Sequence, residues 1–162
     1  MAALDTNVLV RWLVVDDEVQ AEVVAGLLAS CAERNERLYV PLTVMLELEW
    51  VLRSRYRFEK ASVLAALDGL MSASELAFQE EAALEQSLWR YRRVGAPDYA
   101  DCLHVALADQ ARQGPLLTFD QRAARLEGAQ LMQLHGGVPS GNGGLNLSQN
   151  PHPGGSETYQ FV

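Results

Sequence analysis

The stretch "MAALDTNVLV", residues 1–10, runs apolar up to Leu4 and then sets Asp5, Thr6 and Asn7 before a second apolar run. Those three residue types disfavour strands and favour helix starts. The reading that follows is a very short strand that stops at Asp5 and turns directly into a helix over "VLVRWLV". A carboxylate then stands at the carboxyl end of a strand, the edge at which open parallel sheets bind their ligands.

The chain beyond repeats that alternation. "EVQAEVVAGLLASCAERN" has apolar residues at helical spacing, and "RLYVPL" has strand composition ended by Pro41. Thr43 is placed to cap a helix through "VMLELEWVLRSRY". "EKASVLAALDGLMSA" reads as a helix, "ELAFQ" as a strand and "EEAALEQSLWRYRRV" as a helix. Gly95, Ala96 and Pro97 punctuate the chain before the helical "DYADCLHVALADQARQ". "PLLTF" is a strand ending at Asp120, "QRAARLEG" a short helix and "AQLMQL" a last strand. Strands alternating with helices imply an α/β fold of three layers, α/β/α, with a central parallel sheet covered by helices. That domain is expected to span residues 1–135. Residues 136–162, rich in Gly, Pro, Ser and Asn, have too little apolar surface to offset their ordering and read as a flexible tail.

With 162 residues, 49% of them hydrophobic, the chain has enough material for one domain with a substantial core. Asp5 interrupts any leader-like start, and no apolar run reaches membrane-spanning length, so the cytoplasm is the expected compartment, with no membrane partner. Cys31 and Cys102 lie far apart and form no metal-binding pair motif. A net charge of -8 argues against coating nucleic acid by bulk electrostatics, while leaving room for an enzyme that faces phosphate through metal ions.

Five acids fall on the same expected rim. Asp5 and Asp120 end strands, Glu47 lies in the first turns of the helix after "RLYVPL", and Asp98 and Asp101 open the helix after Pro97. Each alone reads equally well as a cap, a turn residue or a partner of a helix dipole. Together they would repel one another and call for a positive group among them. Lys60, the only lysine, lies in a different helix. Oxygen-only donors of this kind suit Mg²⁺ or Mn²⁺, ions that activate water against phosphoryl groups.

"LDTNVLVRWL", "VMLELEWVL", "DYADCLHVALA" and "LLTFDQRAARL" together resemble the PIN-domain ribonucleases, and among them the VapC toxins of bacterial toxin–antitoxin pairs. The resemblance covers about residues 2–134. It implies a magnesium-dependent endoribonuclease with Asp5, Glu47, Asp101 and Asp120 as catalytic and metal-binding acids, Asp98 as an auxiliary acid, and Thr6, Asn7 and Thr118 as supporting polar groups. It also implies an RNA substrate and a cognate antitoxin as partners.

His104, three residues after Asp101 on the same helix face, is a candidate proton carrier, although packing is the more ordinary role. Arg90, Arg92 and Arg93 precede the Asp98 loop and are expected to hold the RNA backbone. Arg53, Arg55 and Arg57 end the Glu47 helix and more simply complement its dipole. Trp12, Trp50 and Trp89 fall at core spacing. The helices around Glu47 and "SVLAALDGLM" offer apolar surface for a homodimer.

Two phosphotransfer folds also place an acid after a first strand. Haloacid-dehalogenase-like phosphatases need a second acid where Asn7 stands, and response-regulator receivers need a lysine that "PLLTF" and "AQLMQL" lack. The remaining alternative is a catalytically silent PIN-like module acting only through protein contacts.

Overall fold

The structure, a computed structural model, describes residues 2–133. The Gly-rich stretch expected to form a tail lies outside the described residues. The helices are α1 (Thr6–Val14), α2 (Glu18–Glu33), α3 (Leu42–Ser54), α4 (Lys60–Met71), α5 (Glu81–Tyr91) and α6 (Tyr99–Gln110). The strands are β1 (Leu38–Val40), β2 (Leu76–Phe78), β3 (Leu116–Thr118) and β4 (Ala129–Leu131), with a 3₁₀ turn at Ala123–Arg125 before the last. All belong to one compact unit, Met1–Met132.

The chain is α/β and its strands pair in parallel. β1 pairs with β2 in the register Leu38↔Leu76, and β3 with β4 in the register Leu116↔Ala129. The expected first strand is reduced to a single bridge, Ala3↔Tyr39, beside β1. Its two backbone bonds are Tyr39 N donating to Ala2 O and Leu4 N donating to Tyr39 O, both at 2.8 Å. Tyr39 thus serves this segment, while Leu38 N and Val40 O face the β2 side, bonding Glu75 O and Gln79 N. The sheet is therefore present as two short fragments rather than one ladder, and no pairing joins them among the described residues.

Such short strands hold little by backbone bonding, so the fold rests on its helices. Leu9 of α1, Met45, Leu48 and Leu52 of α3, Leu67 of α4 and Leu84 of α5 are all fully buried in one core. Each such leucine stabilises the fold by about 2 kcal/mol relative to an exposed one. α5 packs along α6, and α1 packs on α2 and α3. Gly128 lets the chain before β4 close on α6: its φ is +94°, and a Cβ there would lie 2.8 Å from Asp109 Oδ1.

Three expectations need correction. Thr43 does not cap α3. Pro41 occupies the cap position and Leu42 N donates to Gln79 Oε1 at 3.0 Å, because proline's fixed φ already aims the chain into the helix. Trp50 and Trp89 are 59% and 53% exposed, and of the three tryptophans Trp12 alone packs against the core. In α3 the buried stripe runs through Met45, Leu48, Glu49 and Leu52, which leaves Trp50 on the outer side. The apolar residues of α4 that suggested a dimer surface, Val63, Leu64, Leu67 and Leu70, are buried inside the chain.

Candidate functional site

Asp5 is the N-cap of α1, and its Oδ1 accepts from Val8 N at 3.0 Å. The cap holds the carboxylate at the mouth of the first helix, as the residues "DTN" suggest. Thr6, buried beside it, donates from Oγ1 to Glu47 Oε2 at 2.5 Å across 41 residues of sequence. That bond joins α1 to α3 and fixes one oxygen of Glu47. Asp5, Thr6, Asn7 and Glu47 line a cavity of about 220 Å³, with Arg11 and Arg55 at its border.

Asp120 forms the second centre. Its Oδ1 accepts from Arg122 N at 2.6 Å and Ala123 N at 3.2 Å, starting the 3₁₀ turn. Its own N donates to Thr118 Oγ1 at 3.0 Å, so Thr118 sets the bend that presents Asp120. Arg122 Nη2 donates to Ala96 O at 3.2 Å and ties this turn to the loop that precedes Asp98.

Asp98 has the backbone of an N-cap but makes no side-chain capping bond, so its carboxylate is not occupied by helix α6. Asp101, half-buried in the first turn of α6, has its carboxyl pushed above the ordinary value, by burial first and then by the charges of Asp120 and Asp98. His104, exposed, exerts a smaller opposite pull on it. Glu47 and Asp98 both line a cavity of about 440 Å³, together with Thr43, Leu46 and Trp50.

The structure thus groups the acids in two halves. Asp5 and Glu47, joined through Thr6, make one; Asp98, Asp101 and Asp120 make the other, and Glu47 and Asp98 line one cavity in common. The donors are all oxygen, the chemistry of a hard divalent cation. Among the described residues, no three acidic, histidine or cysteine side chains stand close enough together to hold one ion as placed. The fit to a metal therefore rests on donor chemistry and on the repulsion at Asp101.

The three arginines before Asp98 do not form one basic strip. Arg92 pairs with Asp68 at 2.6 Å, and the Arg93 guanidinium lies 3.7 Å from the centre of the Trp89 ring. Arg90 is buried and donates from Nη2 to Asp109 Oδ2 at 2.5 Å, so the expectation of a surface cation is corrected to a buried guanidinium in a half-buried ion pair between α5 and α6.

Glu49 escaped the sequence reading. It is 3% exposed, and its Oε1 accepts from Tyr91 Oη and Arg53 Nε, each at 3.0 Å. Burial first, and then the Glu49 charge, pushes the Tyr91 phenol up to about 12, so it stays a donor. The available signal was an acid inside the apolar stripe of α3 with Arg53 four residues on.

Residues 2–129 match the PIN domain family, and the chain belongs to that family. It is also similar to a VapC ribonuclease of Aquifex aeolicus (strain VF5), at 23% identity over 127 residues, which covers 78% of this chain and 92% of the relative. No helix among the described residues is long and apolar enough to cross a membrane.

Proposed function

We propose that the chain is a metal-dependent endoribonuclease that hydrolyses RNA phosphodiester bonds and serves as the toxin of a toxin–antitoxin pair. The observation that carries this reading is Asp101. It is a half-buried acid pressed by Asp120 and Asp98 on the rim of a PIN domain, and among the described residues the side chain that opposes their charge is His104. Holding repelling carboxylates together destabilises a fold, a cost that persists chiefly at functional sites. The similarity to a VapC ribonuclease supports RNA as the substrate.

Asp5, Glu47, Asp101 and Asp120 would hold Mg²⁺ or Mn²⁺. Bound there, such an ion lowers the pKa of water and stabilises the charge that develops on phosphate. Thr6 fixes Glu47 Oε2, and Oε1 would be the oxygen left for an ion. Thr118 and the 3₁₀ turn hold Asp120 toward the rim. His104, exposed and three residues beyond Asp101, would be the candidate proton carrier. A cognate antitoxin would silence the site by setting a basic side chain among the acids, most firmly through an arginine's paired N–H groups.

The absence of a three-acid cluster as placed, among the described residues, favours one rival, a folded interaction module without catalysis. Incubating the purified chain with RNA in Mg²⁺, Mn²⁺ or chelator, beside Asp101→Asn, separates the two. Cleavage that needs metal and falls by orders of magnitude in the variant supports the nuclease. RNA left intact in both metals would establish the silent module.

A further inference from the structure

A third cavity, of about 350 Å³, lies where the end of α5, the 95–97 loop and the 3₁₀ turn meet. Trp89, Arg90, Arg93, Ala96, Arg125 and Glu127 line it. Arg90 is 7% exposed, and while its Nη2 engages Asp109, its Nη1 is buried with no hydrogen-bond partner among the described residues. A guanidinium N–H removed from water and left unpaired is costly, and an anion is the natural acceptor. Arg93 and Arg125 make no ion pair among the described residues. Three of the chain's 13 cations therefore meet at one cavity of a protein with net charge -8, where Glu127 lines the wall and Asp109 pairs with Arg90 from behind it.

Both walls of this cavity lead into the acid rim. Pro97 is followed at once by Asp98, and the turn that carries Arg125 starts on the side chain of Asp120. An acidic rim repels a polyanion, so a strand of RNA reaching it needs a cationic hold close by. We propose that the Arg90–Arg93–Arg125 cavity binds a backbone phosphate of the substrate RNA and seats the strand beside the acids. This assignment rests on the reading of the rim as a ribonuclease site. Guanidinium groups match phosphate oxygens with paired N–H donors, and Arg93 is already held against Trp89, which lowers the ordering cost of binding.

The test uses the full chain and the double variant R93A/R125A, both with side chains on the surface and neither in the core. Binding of a fluorescently labelled single-stranded RNA is measured in chelator over a range of salt, alongside thermal melts with inorganic phosphate and cleavage assays in Mn²⁺. The expected result is severalfold weaker RNA binding, a salt slope shallower by about 0.7 for each phosphate no longer neutralised, and a raised KM with kcat retained. Unchanged affinity and slope, with wild type still cleaving, would overturn the phosphate site and leave the nuclease standing. If only the stabilisation by inorganic phosphate disappears, the cavity takes free phosphate and the RNA assignment fails. RNA binding abolished in the variant although wild type never cleaves would keep the phosphate site and sink the nuclease.

Discussion

Thr6 offers a clean separation of stability from activity. Its side chain is 6% exposed, its hydroxyl donates to Glu47 Oε2 at 2.5 Å, and its methyl is part of the same buried wall. Thr6→Val keeps the shape and removes the donor. A hydrogen bond to a charged acceptor contributes about 1.5 to 3 kcal/mol, but Glu47 is exposed and regains water, so the net loss is about 1 kcal/mol. In a fold of this size that lowers Tm by about 4 °C. Thr6→Ser keeps the donor and removes the buried methyl, a loss of about 1 kcal/mol by the other route. The two variants should melt alike and cleave differently. If Glu47 holds a metal as proposed, losing the group that orients it lowers activity by about 10- to 100-fold, so Val is expected to fall by that amount while Ser stays near wild type. Differential scanning calorimetry and initial cleavage rates on one RNA give both readouts. A fully active Thr6→Val would show that Glu47 needs no fixing, and equal losses in Val and Ser would show that packing alone is at stake.

Asp101→Asn should stabilise the metal-free protein at neutral pH. The folded carboxyl titrates above its unfolded value, so the fold binds more protons between those two pKa values and stability falls as pH rises through that window. The advantage of Asn is therefore complete above the window and absent below the ordinary carboxylate range, and a variant melting below wild type in chelator at pH 7 would refute it. The ion pair between α5 and α6 should respond unequally to its two deletions. Asp109→Ala strands a guanidinium whose side chain is 8% exposed and should cost about 3 kcal/mol, whereas Arg90→Met leaves only a third-exposed carboxylate and should cost clearly less. Urea unfolding of both variants decides the order, and equal losses would mean that water reaches Arg90.

What the sequence revealed depended on how local the cause is. Asp5 as a helix start follows from "DTN" itself, and Asp120 as a bend follows from the end of an apolar run, so both were legible. The parallel sense of the strands was legible because helices separate them. Their fragmentation was not, since pairing length depends on partners 38 residues apart such as Leu38 and Leu76. Arg90 looked like one of three equivalent cations. Its burial is decided by how α5 lies on α6, where Asp109 waits 19 residues later. Thr6 was legible as a supporting polar residue, yet its bond to Glu47 spans 41 residues and forms only when α1 meets α3.

Two of the acids also begin helical turns, which bears on how the chain can evolve. Asparagine caps as well as aspartate does, so Asp5→Asn, and by the same logic Asp120→Asn, deletes the charge while keeping the side-chain oxygen that Val8, Arg122 and Ala123 use. Alanine at either place would remove cap and charge together. If the acids act as proposed, the chain lies one conservative substitution away from a folded descendant without that chemistry, able to keep the surfaces on which a partner could settle. Glu47 and Asp101 are also held locally, Glu47 by the Thr6 hydroxyl and Asp101 by the Asp98 backbone, so their replacement touches both rim and fold.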